Sequence, residues 1–482
     1  MPTSKANRLS AINHIVVLML ENRSFDHMLG FLYADTGNVS PTGQAFEGLT
    51  GKESNPGANG GAAVTVFAIE PGTTSTYFMP GADPGEGYSA TNAQLFGSTT
   101  APVPPVATNA GFVSDFDYTL GWETKEKRSV LAGTTASDIM GVHTPQTLPV
   151  LSALARGFAV CDHWFGSVPT ETLPNRAFTH AATSQGHMDD ATKSFTAPTI
   201  YASLTQKKVS WAVYGYNADP LTRMTYSDLV SAPDANFGQF ADFQKAAANG
   251  TLAAYTFLEP SWGSSGNSQH PNYDVSLGEQ LIHDVYTALR SSPLWNETLL
   301  VVTYDEHGGC YDHVAPPTNA VPPDTTAGEY GFDFKRFGPR VPTLLISPLI
   351  AAGTVFRVAD GGMPFDHTSI LSTVEKRWDV PALTARDAAA VDVGDVLTLA
   401  TPRTDDPLAG VIAPTSKGRN PAAGEPSHLQ LVYAELVSRL PVPDAQGGTY
   451  HVMPSFQSET DVQDYIDQRL AAWKASRATS AP

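Results

Sequence analysis

Cysteine is nearly missing: the 482 residues hold 2, Cys161 and Cys310. That excludes a disulfide-built secreted scaffold and a cysteine zinc ribbon. Basic residues are scarce as well. Lys and Arg number 29 against 48 Asp and Glu, a formal net charge of −19. So acidic a chain has no general grip on nucleic acid or on anionic lipid. An anionic substrate would need a local positive centre, which a bound metal could supply. No apolar run approaches the ~18 residues of a membrane-spanning helix, so membrane contact is at most peripheral. The run Ile15-Val16-Val17-Leu18-Met19-Leu20 is too short for the apolar region of a secretory leader, and Glu21 follows with no small-residue cleavage site. The expected location is the cytoplasm, or outside the cell as a mature form whose leader has been removed. No internal repeat is visible.

Apolar material is ample, with 41% hydrophobic and 10% aromatic residues, so a large core is expected and global disorder is excluded. The 40 Gly and 37 Pro exceed the ~12% average for the pair and point to long ordered loops. The run 15–20 is short, β-branched at its start and apolar on both faces, as in a buried parallel strand. The same pattern recurs at 158–161, 210–214, 255–258, 299–304 and 343–346. Helical patterns lie between. One starts at Asp274, a good N-cap, and repeats through Val275, Leu281, Ile282, Val285, Tyr286 and Leu289 until Ser291-Ser292-Pro293 ends it. Another covers 369–378. Strands alternating with helices predict a doubly wound three-layer α/β/α sandwich. We place a catalytic domain at 1–388, with a Gly, Pro, Ser, Thr and Asn-rich insertion at about 37–111, too long for a plain loop. A second loop-rich piece spans 315–338. Residues 389–482 read as a smaller C-terminal appendage with helical patterns at 428–440 and 460–474.

Ligands of open α/β sheets bind outside the carboxyl ends of the strands. The run 15–20 ends in Glu21-Asn22-Arg23-Ser24-Phe25-Asp26-His27, and the run 299–304 in Asp305-Glu306-His307-Gly308-Gly309-Cys310-Tyr311-Asp312-His313. Glu21, Asn22, Asp305 and Glu306 thus offer three carboxylates and one amide oxygen at one edge. Such a set suits a hard divalent cation: calcium, magnesium or manganese. Caps and surface charge are the plain alternative. A third segment, Pro169-Thr170-Glu171-Thr172-Leu173-Pro174-Asn175-Arg176, follows the run 158–161. Thr172 is a candidate alkoxide nucleophile when a metal lowers its pKa. Asn175 and Arg176 have the chemistry to orient a phosphate, and Arg176 equally that of an anchor. His270 and His313 stand in the right neighbourhoods for a general acid. Arg340, in Gly338-Pro339-Arg340-Val341-Pro342, reads as an ion-pair anchor, and Cys310 as packing.

In this order, the segments 21–27, 172–176, 305–313 and 338–342 resemble the bacterial and plant non-specific phospholipase C family, which also contains acid phosphatases. The stretch 270–314 is closest to the plant members, and the resemblance spans about residues 11–380. It implies an alkaline-phosphatase-like core and one divalent metal, with zinc a fourth option, on Glu21, Asn22, Asp305, Glu306 and Thr172. It implies Thr172 as nucleophile and His270 and His313 as phosphate-binding or proton-transferring groups. It implies phospholipase C action on a phosphatidylcholine-like phospholipid through a phosphothreonine, with a small phosphate monoester as the alternative substrate. One departure stands out. Plant members carry Asp-Pro-Gly-His where this chain has Asp83-Pro84-Gly85-Glu86-Gly87-Tyr88. Glu86 would repel a phosphate dianion and attract a cationic head group, with Tyr88 or Trp262 as an aromatic partner.

Overall fold

The computed structural model describes residues 8–217, 219–359, 361–442 and 453–480. All six apolar runs become strands of one eight-stranded sheet. Its strands in chain order are β1 (His14–Leu20), β2 (Ala159–Cys161), β3 (Trp211–Gly215), β4 (Phe237–Gln239), β5 (Tyr255–Leu258), β6 (Thr298–Tyr304), β7 (Thr343–Ile346) and β8 (Thr354–Phe356). Across the sheet the order is β8-β2-β7-β6-β1-β5-β3-β4. β1 lies parallel to β5 and β6, β3 to β5 and β4, and β8 to β2. β7 runs antiparallel to both its neighbours, β6 and β2. The expectation of a parallel strand there is corrected, because an apolar run on both faces reports double burial and carries no direction. β4 and β8 were not expected. They are three-residue, half-exposed edge pieces with no apolar run to betray them.

Helices cover both faces of the sheet, completing three layers. Pro149–Gly157, Phe240–Ala248 and Val275–Arg290 pack together on one face; Thr172–Ala181, Ile200–Gln206 and Thr368–Trp378 cover the other. Asp274 caps the Val275–Arg290 helix by accepting a hydrogen bond from Ser276 N, and Ser291 closes it. Residues 37–111 carry short strands, 3-10 turns and the helix Tyr88–Phe96. Leu49, Val66 and Ala82 of this stretch share a small separate core with Phe112, Val113 and Phe116. The helices His428–Ser438 and Glu459–Ser480 pack on each other, and Leu429, Val432, Leu436, Ile466, Leu470 and Trp473 join the main core. None of the described helices is long and apolar enough to cross a membrane.

Register positions the site. β1 and β6 pair without offset, from His14 with Thr298 to Leu20 with Tyr304. Their carboxyl ends therefore finish level, and Glu21 and Asp305 leave the sheet side by side. Because β7 is antiparallel, its amino end, and Arg340 before it, arrives at the same edge.

Candidate active site

The two loops that leave β1 and β6 are locked by backbone geometry. Asn22 sits in the left-handed region at φ 54°, which Asn tolerates better than most residues. Its N–H donates to Asp305 Oδ1 at 2.9 Å, and Glu306 N donates to the same oxygen at 2.8 Å. Gly308 and Gly309 follow at φ 60° and 63°. A Cβ on Gly308 would lie 2.0 Å from Asn22 O, and one on Gly309 2.6 Å from Gly85 O. The glycine pair is what lets the β6 loop pass against both the β1 loop and the insertion.

Thr172 opens its helix at this junction, and its hydroxyl donates to Asn22 Oδ1 at 3.2 Å. Asn175 holds the turn before it. Its Nδ2 donates to the carbonyls of Val168, Thr170 and Glu171, and its Oδ1 accepts from Val168 N. With its polar atoms on backbone, Asn175 positions Thr172 and does not itself face a substrate. Arg176 donates through Nε to Asp305 Oδ2 at 2.9 Å and through Nη2 to the carbonyls of Met19 and Leu20. It thereby ties the Thr172 helix to the ends of β1 and β6. Its guanidinium lies 4.7 Å from the Trp262 ring centre, which takes up one face of that ring.

Carboxyls gather at the ends of β1 and β6. Glu21, Asp305 and Glu306 are at most 2% exposed. Glu86 reaches in from the insertion and accepts from Asn22 Nδ2 at 2.5 Å. Burial raises the Glu21 pKa to about 7, with His270 pulling it down and Asp305 pushing it up. Burial likewise lifts Glu306 well above the carboxyl range, Asp305 adding to it, and lifts Glu86, with Asp83 and Glu306 adding. The donors are oxygens, the type a hard cation takes, and Glu306 Oε1 is fully buried with no hydrogen-bond partner among the described residues. The His, Asp and Glu side chains whose ligand atoms lie within 4.8 Å of one another are instead Asp83, Glu86 and His270, and Asp26, Asp312 and His313. Asp305 is the most committed: Oδ1 accepts two N–H groups and Oδ2 the Arg176 Nε, leaving one lone pair.

His270 faces the same cavity. Burial opposes its charge, but Asp83 and Glu21 outweigh burial and raise its pKa. Its Nδ1 meets Pro271 O at 3.0 Å, and Nε2 stands 3.8 Å from Glu86 Oε2. Arg23 fixes this loop by donating to the carbonyls of Gln269, Met79 and His270. His313 lies apart. Its Nδ1 pairs with Asp26 Oδ2 at 2.7 Å, beside Arg340, which bridges Asp26 and Asp312 at 2.8 and 2.9 Å. Arg340 is thus a buried ion-pair anchor. Cys310 is buried and free, its thiol pushed up to about 12 by burial, so it packs as a neutral side chain.

Two connected cavities lead to Thr172. The smaller, about 310 Å³, is lined by Glu21, Thr172, Trp262 and His270. The larger, about 970 Å³, is walled by Tyr88, Asp115, Glu171, Asp190 and Tyr330. Glu86, Asp83 and His428 border both. Tyr88 stacks on Tyr330 with ring centres 5.2 Å apart. Three residues here escaped the sequence reading. Asp190 accepts from Leu173 N at 2.7 Å and so caps the Thr172 helix. Glu171 accepts from Asp190 N. His428 comes from the C-terminal helix, and burial lowers its pKa. Glu171 stands next to Thr172 in the chain, but Asp190 and His428 have no local mark, because long-range packing brings them in.

A model of the Phosphoesterase family matches residues 12–381. Non-specific phospholipase C6 of Arabidopsis thaliana is 38% identical over 418 residues, covering 83% of this chain and 75% of its own length. Non-specific phospholipase C3 of the same plant is 36% identical over 430 residues, with 83% and 76% covered. Phospholipase C A of Mycobacterium tuberculosis is 29% identical over 439 residues, with 82% and 78% covered. Among solved structures, a protein of the alkaline phosphatase superfamily from Vibrio parahaemolyticus gives a TM-score of 0.30 at 13% identity, over 50% of this chain and 63% of that one.

Proposed function

This chain belongs to the Phosphoesterase family, and we propose that it acts within it as a metal-dependent phospholipase C with Thr172 as nucleophile. One observation carries the reading: the Thr172 hydroxyl stands 3.2 Å from Asn22 Oδ1 in a cavity that also holds Glu21 and His270. The names of the relatives support the choice of a phospholipid over a simple phosphate ester. Glu21, Asn22, Glu306 and the remaining lone pair of Asp305 would hold the divalent ion. Bound there, the ion supplies Lewis-acid stabilisation of negative charge on oxygen.

The chemistry of the chain's own residues balances in two steps. Thr172 Oγ1 gives its proton to solvent and bonds to phosphorus as the bond from phosphorus to the glycerol oxygen breaks. His270, whose pKa Asp83 and Glu21 raise, gives its proton to that oxygen, and diacylglycerol leaves. Water then bonds to phosphorus and gives one proton to His270, while the phosphothreonine bond breaks and Thr172 Oγ1 takes a proton back from solvent. The phosphorylated head group departs. Arg176 and Asn175 act through position: one ties the helix to the strand ends, the other fixes the turn before Thr172. His313, held by Asp26 away from the cavity, takes no part in these steps. The head group retained on phosphorus faces the larger cavity, whose carboxyls and tyrosines favour a cation such as choline. Glu86, in contact with Asn22, borders both cavities.

The test is a product assay on phosphatidylcholine and para-nitrophenyl phosphate in parallel, with and without chelator. Diacylglycerol and phosphocholine, lost with chelator and lost in Thr172→Ala, are expected. Nitrophenol alone would make the protein a phosphomonoesterase, and turnover retained in Thr172→Ala would remove that residue from its role.

A further inference from the structure

The segment Phe365-Asp366-His367-Thr368 is buried throughout and has no role in the steps above. Phe365–Asp366 pairs in parallel with Trp164–Phe165, and the rings of Phe365 and Trp164 stack with centres 5.8 Å apart. Asp366 is held from several sides. Its Oδ2 accepts from Ser167 Oγ at 3.0 Å and from Arg386 Nη2 at 2.8 Å, and its Oδ1 accepts from Thr368 N at 3.2 Å. So fixed, the segment delivers His367 to the end of β6. The Nε2 of His367 stands 2.5 Å from the carbonyl oxygen of Asp305, and its Nδ1 takes a longer bond, 3.4 Å, from Trp164 Nε1. The two contacts settle which nitrogen holds the hydrogen. A carbonyl only accepts and an indole N–H only donates, so Nε2 carries the hydrogen and Nδ1 is bare. The helix Thr368–Trp378 receives no capping bond from this side chain. The imidazole therefore serves the loop after β6 and not its own helix.

We propose that His367 is a positioning residue of the active site: by holding the Asp305 carbonyl it aims the carboxyls of Asp305 and Glu306. The proposal rests on the metal-dependent reading of the site for its purpose. The held carbonyl belongs to the peptide group that joins these two carboxyl-bearing residues. The other end of that peptide, the Glu306 N–H, donates to Asp305 Oδ1 at 2.8 Å. With His367 on its oxygen and Asp305 on its N–H, the planar group has one setting. Glu306 hangs from that plane. Its Oε2 accepts from Gly308 N at 2.7 Å, which leaves the unpartnered Oε1 in a fixed place. Without the His367 hydrogen bond the buried carbonyl loses its donor, and a turn of the plane toward another one carries Glu306 with it. A group that acts on a metal only through the metal's ligands typically controls ~10–100-fold of affinity or activity.

The experiment uses the full chain and two readouts. Electron paramagnetic resonance of free Mn2+ reads metal affinity without turnover, and hydrolysis of a soluble chromogenic diester reads the reaction. His367→Leu removes the donor. His367→Gln restores an N–H to donate and an oxygen to accept. Ser372→Ala controls for stability alone, because it removes a different buried hydrogen bond of the same helix, to Ala390 O at 2.9 Å. His367→Leu should bind Mn2+ and turn over ~10–100-fold less well than the parent. His367→Gln should stay within about threefold on both. Ser372→Ala should lower the urea midpoint and move neither. If His367→Leu does not fold, His367→Asn takes its place with the same expectation, since its amide reaches only the Nδ1 position. Mn2+ affinity of the donor-free variant within about threefold of the parent would overturn the proposal. An equal loss in His367→Gln or in Ser372→Ala would overturn it too. If Mn2+ affinity follows His367 as expected but the parent leaves the diester and phosphatidylcholine intact, the positioning role stands and the phospholipase reading falls. A parent that takes up no Mn2+ would overturn both.

Discussion

Replacing Gly308 with alanine tests the architecture of the site at one carbon. The residue sits at φ 60°, and a Cβ there would lie 2.0 Å from Asn22 O. Real Cβ contacts do not fall below ~3.0 Å, so the β1 and β6 loops must part by roughly 1 Å. The left-handed conformation adds a cost of ~1–2 kcal/mol for any residue with a Cβ. The displaced group is the one that matters: Asn22 takes the Thr172 hydroxyl on Oδ1 and gives its N–H to Asp305. A misplacement of about 1 Å at a reacting centre lowers turnover ~100-fold, or about 2.7 kcal/mol in the barrier. Gly37→Ala is the control, because Gly37 shares the φ, 67°, with nothing within 4 Å of its Cβ. It should lose ~1–2 kcal/mol of stability and no turnover. Urea unfolding and hydrolysis of a soluble chromogenic diester read the two quantities. The reasoning fails if Gly308→Ala keeps turnover within about threefold of the parent and loses no more stability than Gly37→Ala.

Two further outcomes test the packing around the site. Arg340 is fully buried between Asp26 and Asp312, so Arg340→Met strands two carboxylates and should cost ~3–5 kcal/mol in urea unfolding; a loss under about 1 kcal/mol would show that the anchor holds little. Burial raises Asp115 from 3.8 to about 7, against the opposing hydrogen bond from Gln94. The folded chain therefore keeps a proton that the unfolded chain releases. That contribution is full at pH below the unfolded value and lost as pH rises through the folded one, so from pH 5 to 7 the parent should lose about 2 kcal/mol relative to Asp115→Asn. A difference that stays flat with pH would contradict the buried carboxyl.

Much of the site was legible because strand ends are legible. The run 15–20 and the run 299–304 announced burial, and the polar residues after each had to emerge at the carboxyl edge, where Glu21, Asn22, Asp305 and Glu306 now stand. What stayed hidden depends on direction and distance. Periodicity says that 343–346 is buried on both faces but not that it runs backwards, which is why Arg340 arrives at the same edge as Asp305. Position in the chain could not separate His270 from His313. Only the packing does so, turning one toward Thr172 and seating the other on Asp26. Asp190 and His428 carry no local signature, being brought in by a loop and by a helix beyond the matched family region.

The charge arithmetic holds a stronger lesson. A chain at −19 that handles phosphate needs positive charge where the phosphate sits, and the nearby arginines are largely committed to the fold. Arg23 donates to three backbone carbonyls; Arg176 gives Nε to Asp305 and Nη2 to two more, and keeps only a buried Nη1 with no hydrogen-bond partner among the described residues. Both serve the architecture that aims Thr172. In the cavity beside the hydroxyl, Glu21, Asp83, Glu86, Glu123 and Asp190 face His270, His428 and Arg128. On the proposed reading, such a pocket would take a phosphodiester together with a cation, and the acidity that argues against binding phosphate would be, at this edge of the sheet, the means of binding it.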